Sequence, residues 1–308
     1  MTLSRKLSQA DKALAWKLKG REKEIRKAYS LALKEVRSDI ALAYERYGGS
    51  YAEMQKYNRL ASLEKNIQEE LRKLSSKNAM TLKKGIAQAY SESYYLTGYT
   101  FETGVEARLG FGTLNPKTIE AAIYNPFDPL KWNDRLREHT RLLDRRIREE
   151  VTRGLIQGKP YQEMARAIRD PFEKGAFRTM RIIQTEAHRC QVQGRLDGFD
   201  DARDIGVEFD EIWSSTLDDK TREDHQDMDG EKAEMVDGEP MFTLPDGTQT
   251  RGPGLSGIAE QDIGCRCGVR AEIRGYGPKV RRARDANTGK NKIVPNMTYN
   301  EWKNLKGI

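Results

Sequence analysis

Between Ile25 and Tyr47 apolar residues return at every third or fourth position: Ile25, Tyr29, Leu33, Val36, Ile40, Tyr44 and Tyr47. That rhythm lays one apolar stripe along a charged rod and predicts a single long helix over residues 4–47. Gly48-Gly49-Ser50 ends it, because glycine readily takes the left-handed conformation that closes a helix. Met54, Tyr57, Leu60, Leu63, Ile67, Leu71 and Leu74 repeat the rhythm in a second helix. Ser75-Ser76 reads as a break, with a third helical stretch from about Asn78 to Leu96. A chain committed this far to striped helices packs them on one another or lays them on a partner, and the pattern leaves both open.

The texture changes over 97–131. Gly98, Gly104, Gly110, Gly112, Pro116, Pro126 and Pro129 punctuate it, while Tyr94, Tyr95, Tyr99, Phe101, Phe111, Tyr124 and Phe127 supply anchors. Disordered linkers lack aromatics, so this is a packed junction. Helices resume from Trp132 to Leu155 through Leu136, Leu143, Ile147 and Val151. Gly158-Lys159-Pro160 opens another with Tyr161, Met164 and Ile168 on its buried side, so that 155–168 resembles a helix-turn-helix hairpin. A further helix runs from Phe177 to a stop at Gly198. Periodicity then switches: Val207 to Trp213 alternates apolar and polar, as a half-buried strand does, and short strands and loops follow to about Ile273. The expected fold is mainly α with a smaller α+β C-terminal domain. Long N-terminal helices (1–96) lead through the junction (97–131) and a helical middle to short antiparallel strands after about residue 205, the compact domain spanning 132–274.

Charge divides the rest. The 308 residues carry a net +7, and 33% are charged against roughly 25% in an average globular protein. Between Asp201 and Glu239 fifteen carboxylates face four basic side chains. The tail, 275–308, reverses this with Lys279, Arg281, Arg282, Arg284, Lys290 and Lys292, a solvated strap or a nucleic-acid-binding run that touches DNA phosphates. Thr298 and Glu301 have capping-box spacing and open a short helix through Trp302 and Leu305. No apolar run reaches the roughly 18 residues of a membrane span, and Met1-Thr2-Leu3-Ser4-Arg5-Lys6 has no apolar core behind it, so neither membrane insertion nor export is expected.

The chemically capable residues gather in the C-terminal half: Arg181, Thr185 and Glu186; Trp213, Asp218, Arg222, His225 and Gly230; then Cys265 and Cys267. Three cysteines make no disulfide framework, and a Cys-x-Cys pair rarely bridges without strain, which suits a reducing cytosol. Three readings stand. His225, Cys265 and Cys267 are zinc donors by type, a fourth ligand coming from Asp262, Cys190, His188 or water. Alternatively the cluster is a hydrogen-bonded core, Asp218 bracing Arg222, His225 capping a loop and the thiols packing as small hydrophobes. Or Glu186, Arg222 and His225 serve a DNA-processing or nucleotide-modifying enzyme, although no glycine loop that would cradle phosphates accompanies them.

The order Arg-Ile-x-x-Thr-Glu (Arg181 to Glu186), Trp213, Asp218, Arg222, His225, Gly230 and Cys265-Arg266-Cys267 resembles the head-morphogenesis, Mu F-like minor capsid proteins of tailed bacteriophages. The likeness covers roughly Trp132 to Ile273. It implies a non-enzymatic virion protein, made in the host cytoplasm and sited inside the phage head. It further implies association with the portal protein and with capsid or scaffolding proteins, closeness to packaged double-stranded DNA, and a part in procapsid assembly and in DNA packaging or delivery. Many relatives carry Cys-x-x-Cys where this chain has Arg222 and His225, and His-Pro near the position of Asp262-Ile263. The family's thiolate count is thus reduced here. A host-side nucleic-acid-binding regulator is a third, weaker reading.

Overall fold

The computed structural model describes residues 3–104, 111–124, 131–272, 280–284, 290–295 and 297–306. It is mainly α-helical with short antiparallel strands toward the C-terminal end, as the patterning predicts. Helix α1 spans Leu3–Tyr47 and stops at Gly48 and Gly49, both left-handed. A short α2 (Tyr51–Gln55), capped by Ser50, and a 3-10 turn at Lys56–Asn58 lead to α3 (Arg59–Gly104). Then come α4 (Pro116–Tyr124), α5 (Trp132–Ile156), α6 (Tyr161–Ala167) and α7 (Arg169–Asp204).

Two expected helix ends are absent. Ser75-Ser76 does not interrupt α3. Serine costs a helix only about half a kcal/mol, and buried Leu71, Leu74 and Leu82 carry the apolar row straight through. The Ser75 hydroxyl also accepts from Thr140 at 3.2 Å. Nor does Gly198 end α7, which begins eight residues before Phe177 and continues to Asp204.

The chain forms two compact units. One comprises residues 18–85 and 130–184. Its core is the stripe of α1 (Ile25, Ala28, Tyr29, Ala32, Val36, Ile40) together with Leu63, Ile67 and Leu71 of α3, Leu143 and Ile147 of α5, and Phe172 of α7. Alanines 28 and 32 take core places for which the sequence offered Leu33, which is only half-buried. Tyr29 packs edge-on against Phe172, and its hydroxyl lies 2.7 Å from that of Thr179. Arg37 donates to the carbonyl of Ala165, fastening α6. The hairpin read over 155–168 is α5 and α6, with Met164 against Gly154.

The other unit comprises 1–17, 86–129 and 185–308. Here α3 and α7 approach so closely that a Cβ on Gly194 would lie 2.3 Å from the carbonyl oxygen of Tyr90, and one on Gly198 2.9 Å from Thr97. Tyr90 and Tyr94 reach across to Asp197 and Asp201, one helical turn apart on both helices. Burial, then the aspartate partner, pushes each tyrosine hydroxyl well above its ordinary value. Strand β1 (Asp210–Ser214) pairs antiparallel with β5 (Gly268–Glu272), Trp213 opposite Val269. Between them lie α8 (Glu223–Asp227), the three-stranded antiparallel sheet of β2 (Glu234–Val236), β3 (Glu239–Thr243) and β4 (Gln249–Thr250), and α9 (Ala259–Asp262). One apolar cluster runs through Phe101, Leu196, Phe199, Trp213, Phe242 and Val269 to Cys265 and Cys267.

The tail holds more structure than its composition suggests. Residues Val280–Arg284 (β6) and Asn291–Pro295 (β7) pair as an antiparallel hairpin, and Tyr299–Lys306 is α10. The capping box at its start is present: Thr298 N–H donates to Glu301, and Glu301 N–H donates back to the Thr298 hydroxyl. Leu217, Ala283 and Tyr299 form a small separate core. Pairing and this anchor order a run that composition alone reads as a solvated strap. Arg281, Arg282 and Arg284 lie on β6, Lys292 on β7, and Lys290 is exposed between the strands. Lys279 lies outside the described residues.

Candidate metal centre

Successive side chains of an extended segment point to opposite faces, so Cys-x-Cys puts two sulfurs on one face and sends the middle residue the other way. Cys265-Arg266-Cys267 enters β5 in this manner. Arg266 forks onto the two carboxylate oxygens of Asp218, one contact at 2.7 Å. Asp218 also accepts from Lys220 N–H at 3.0 Å and the Thr221 hydroxyl at 3.3 Å. Burial pushes this carboxyl up, but the Arg266 pair and the other donors outweigh it and hold it below the ordinary carboxylate range. Asp218 therefore braces Arg266, not Arg222 as the alternative hydrogen-bonded reading had it.

The buried sulfurs face His225, each 3.6 Å from its Nδ1. The ring stands on Trp213, edge to face at 5.5 Å. Trp213 Nε1–H donates to the Ser215 hydroxyl at 3.1 Å, and that hydroxyl donates to the carbonyl of His225. The chain turns back to β1 at Gly230, whose φ of 93° suits glycine and whose N–H donates to the Trp213 carbonyl at 3.0 Å. Arg222 donates to the carbonyls of Gln261 and Ile263, pinning the loop ahead of the cysteines. Gly264 N–H reaches the Thr185 hydroxyl at 3.4 Å. Trp213, Asp218, Arg222, His225, Gly230 and Thr185 are thus all gathered around one loop pair.

Two motif residues stand apart. Glu186 is buried with Arg189 at 3.0 Å, and Arg189 donates to the Ala122 carbonyl at the end of α4 at 2.8 Å. Arg181 is exposed on α7 and belongs to the helical unit. Glu186, which the enzyme reading groups with Arg222 and His225, pairs with Arg189, while Arg222 donates to backbone carbonyls. Sequence reasoning missed Arg266, Ser215, Asp224, Gln261 and Tyr299. Only Arg266, between the cysteines, carried a signal; Asp224, Gln261 and Tyr299 act through contacts of long sequence separation, and Ser215 through the Trp213 indole and the His225 carbonyl. Tyr299 donates its hydroxyl to the Asp218 carbonyl at 2.8 Å, closing α10 over the loop.

The donor set fits a metal. Nδ1 of His225 and the two sulfurs lie within 4.8 Å of one another. The Cys265 thiol donates to Cys267, which pulls Cys267 well below and Cys265 well above the ordinary thiol value. Two thiolates and an imidazole are the ligands zinc selects. Among the fourth ligands considered, Asp262 accepts from Ser256 and Gly257, and Cys190 donates to the Ala122 carbonyl, its thiol pushed up to about 12 by burial. His188 lies against Gly254. The three donors line a recess with Lys220, Thr221, Arg222, Gly264 and Arg266.

Comparison with known proteins follows the same segment. The model of the family described as Phage Mu protein F like protein matches residues 145–270. Minor head protein GP7 of Bacillus phage SPP1 is 28% identical over 293 residues, 92% of each chain. NAD(+)--arginine ADP-ribosyltransferase EFV of Enterococcus faecalis is 28% identical over 253 residues, 82% of this chain and 50% of that protein. No solved structure matches. Together the first two support the phage head-morphogenesis family that the motif order resembles.

Proposed function

We propose, on the premise that residues 145–270 are a Phage Mu protein F-like segment of a phage head-morphogenesis protein, that this chain is a minor head protein. In this reading it sits inside the head on the portal and aids procapsid assembly and DNA packaging or delivery. The observation that carries the reading is likeness to a minor head protein over 92% of both chains. No described helix is long and apolar enough to cross a membrane.

The working surfaces are the outer faces of the long helices, docking on portal, capsid or scaffolding proteins. The basic hairpin strands face the packaged DNA, and binding through phosphates alone weakens steeply with salt. The C-terminal centre is structural: zinc on His225, Cys265 and Cys267 ties the loop before β5 to α8. A bound zinc ion supplies folding energy at the loops it joins. The role is non-enzymatic. What supports this is the dispersal of Glu186, Arg222 and His225 among separate partners. The enzyme named among the relatives extends well beyond the alignment, so the activity in its name need not lie in the shared part.

The test is co-expression with the portal protein of the same phage. The full chain is expected to co-purify with portal rings, and the Arg222→Ala, His225→Ala variant to lose this together with its folded C-terminal unit. A chain that never accompanies portal rings or assembled heads overturns the reading. A variant that stays folded and is incorporated, yet loses an activity on DNA, favours the enzyme.

A further inference from the structure

Gln261 reaches two chemically opposite neighbours. Its Nε2 lies 2.9 Å from a carboxylate oxygen of Asp224, and its Oε1 lies 2.9 Å from Nε2 of His225. An ionised carboxylate accepts only, so the amide NH₂ must face Asp224. The amide oxygen is then left for the histidine. A carbonyl oxygen also only accepts, so His225 must carry its proton on Nε2. In the neutral ring, the form that ligates a metal, Nδ1 is then the bare lone pair, and it is the atom 3.6 Å from each sulfur. The same side chain also hydrogen-bonds Asp246, so the tautomer and the ring orientation follow from carboxylates two links away.

We infer that Gln261 and Asp224 are positioning residues of a zinc site, turning the His225 ring so that its Nδ1 lone pair joins the Cys265 and Cys267 sulfurs. This rests on the reading that those three donors take zinc. A histidine ligand needs an acceptor for its other N–H, and removing such an acceptor typically weakens metal binding 10- to 100-fold. The acceptor here is neutral. A carboxylate at 261 would meet Asp224 as a like charge, whereas the amide passes that carboxylate's demand for a proton on to the ring without repulsion. The local fold holds the relay in place. Gln261 is 8% and His225 2% exposed, and Arg222, the residue before α8, donates to the Gln261 carbonyl. Asp224 and His225 are neighbours on one short helix, so relay and ligand move together.

The test measures zinc affinity of the full chain by competition with a chromophoric chelator. The thiolate-to-metal absorption of the cobalt-loaded protein is the second readout. Gln261→Met keeps the side-chain volume and removes both hydrogen bonds; its affinity is expected to fall 10- to 100-fold and its cobalt spectrum to change. The pair Asp224→Asn with Gln261→Glu reverses the bond to residue 224 while keeping the one to His225, and is expected to restore part of the affinity. Asp224→Asn alone is expected to fall between. Gln261→Met holding zinc as tightly as the parent overturns the relay and leaves the zinc reading standing. A parent chain that takes up no zinc, unchanged by Cys265→Ser, overturns both.

Discussion

A glycine inside a helix has two physical meanings, and the sequence does not distinguish them. Gly198 reads as a helix stop, yet α7 runs through it because Thr97 of α3 occupies the space a side chain would fill. Gly194, one turn earlier, meets the Tyr90 carbonyl oxygen, which is backbone and cannot step aside. Gly194→Ala is therefore expected to cost about 1–3 kcal/mol by overpacking. Gly20 is the control: exposed in α1, with nothing within 4 Å of an added methyl group. Gly20→Ala is expected to add up to about 1 kcal/mol from helix propensity alone. Thermal unfolding of the two variants should shift in opposite directions, and a Gly194→Ala protein as stable as its parent would remove the close helix approach as an explanation. The same limit applies to charged residues. That Asp218 and Glu186 mattered was legible from the motif. That Asp218 pairs with Arg266, 48 residues on, and not with Arg222, four residues on, was not, because loops and strands between them set the meeting.

At the scale of elements, periodicity was the reliable guide and punctuation the unreliable one. The stripes of α1 and α3 were readable because burial selects every third or fourth residue. The serine pair in α3 misled because its propensity cost is small beside a continuous row of leucines. The β6–β7 hairpin was invisible because its pairing partner and its anchor, Leu217 and Tyr299, lie outside the run itself. The turn between α1 and α3 is a separate case. Tyr57 and Asn58 are both left-handed, at φ 53° and 57°, and Tyr57 is 86% exposed. Such a conformation costs a non-glycine residue roughly 1–2 kcal/mol. The Arg59 guanidinium lies 5.2 Å from the Tyr57 ring and 4.3 Å from that of Tyr47, a contact worth about 0.5–1 kcal/mol where exposed. Tyr57→Gly relieves the strain and loses the ring contact, so its stability is expected to rise by up to about 1 kcal/mol. Tyr57→Ala loses the ring and keeps the strain, so it is expected to fall. Chemical denaturation of both variants checks the pair; equal midpoints would show that backbone conformation at Tyr57 carries no energy.

At the scale of the whole molecule, the two units are held by different means, and metal removal should separate them. The helical unit has a core of large aliphatic side chains drawn from several helices, among them Ile25, Val36, Ile67, Leu71 and Ile147, all 2% exposed or less. Nothing in it depends on the cysteines. The C-terminal unit combines the close packing of α3 on α7 with strands of two to five residues, too short to be stable without the loops that join them. Those loops converge on His225, Cys265 and Cys267. On the zinc reading, a chelator removes the link between α8 and the segment entering β5, while Asp218–Arg266 and the Trp213 packing remain. The expected result in amide hydrogen exchange is local. Residues 213–231 and 258–272 lose protection, and residues 25–40 and 60–82 keep theirs. Readdition of zinc restores the pattern, and Cys265→Ser reproduces the chelated state without any chelator. Uniform loss of protection would mean that the ion, if bound, supports the fold as one cooperative block. Unchanged protection in the zinc-loaded and chelated chain would mean that the hydrogen-bonded core of Trp213, Ser215, Asp218 and Arg266 suffices without it.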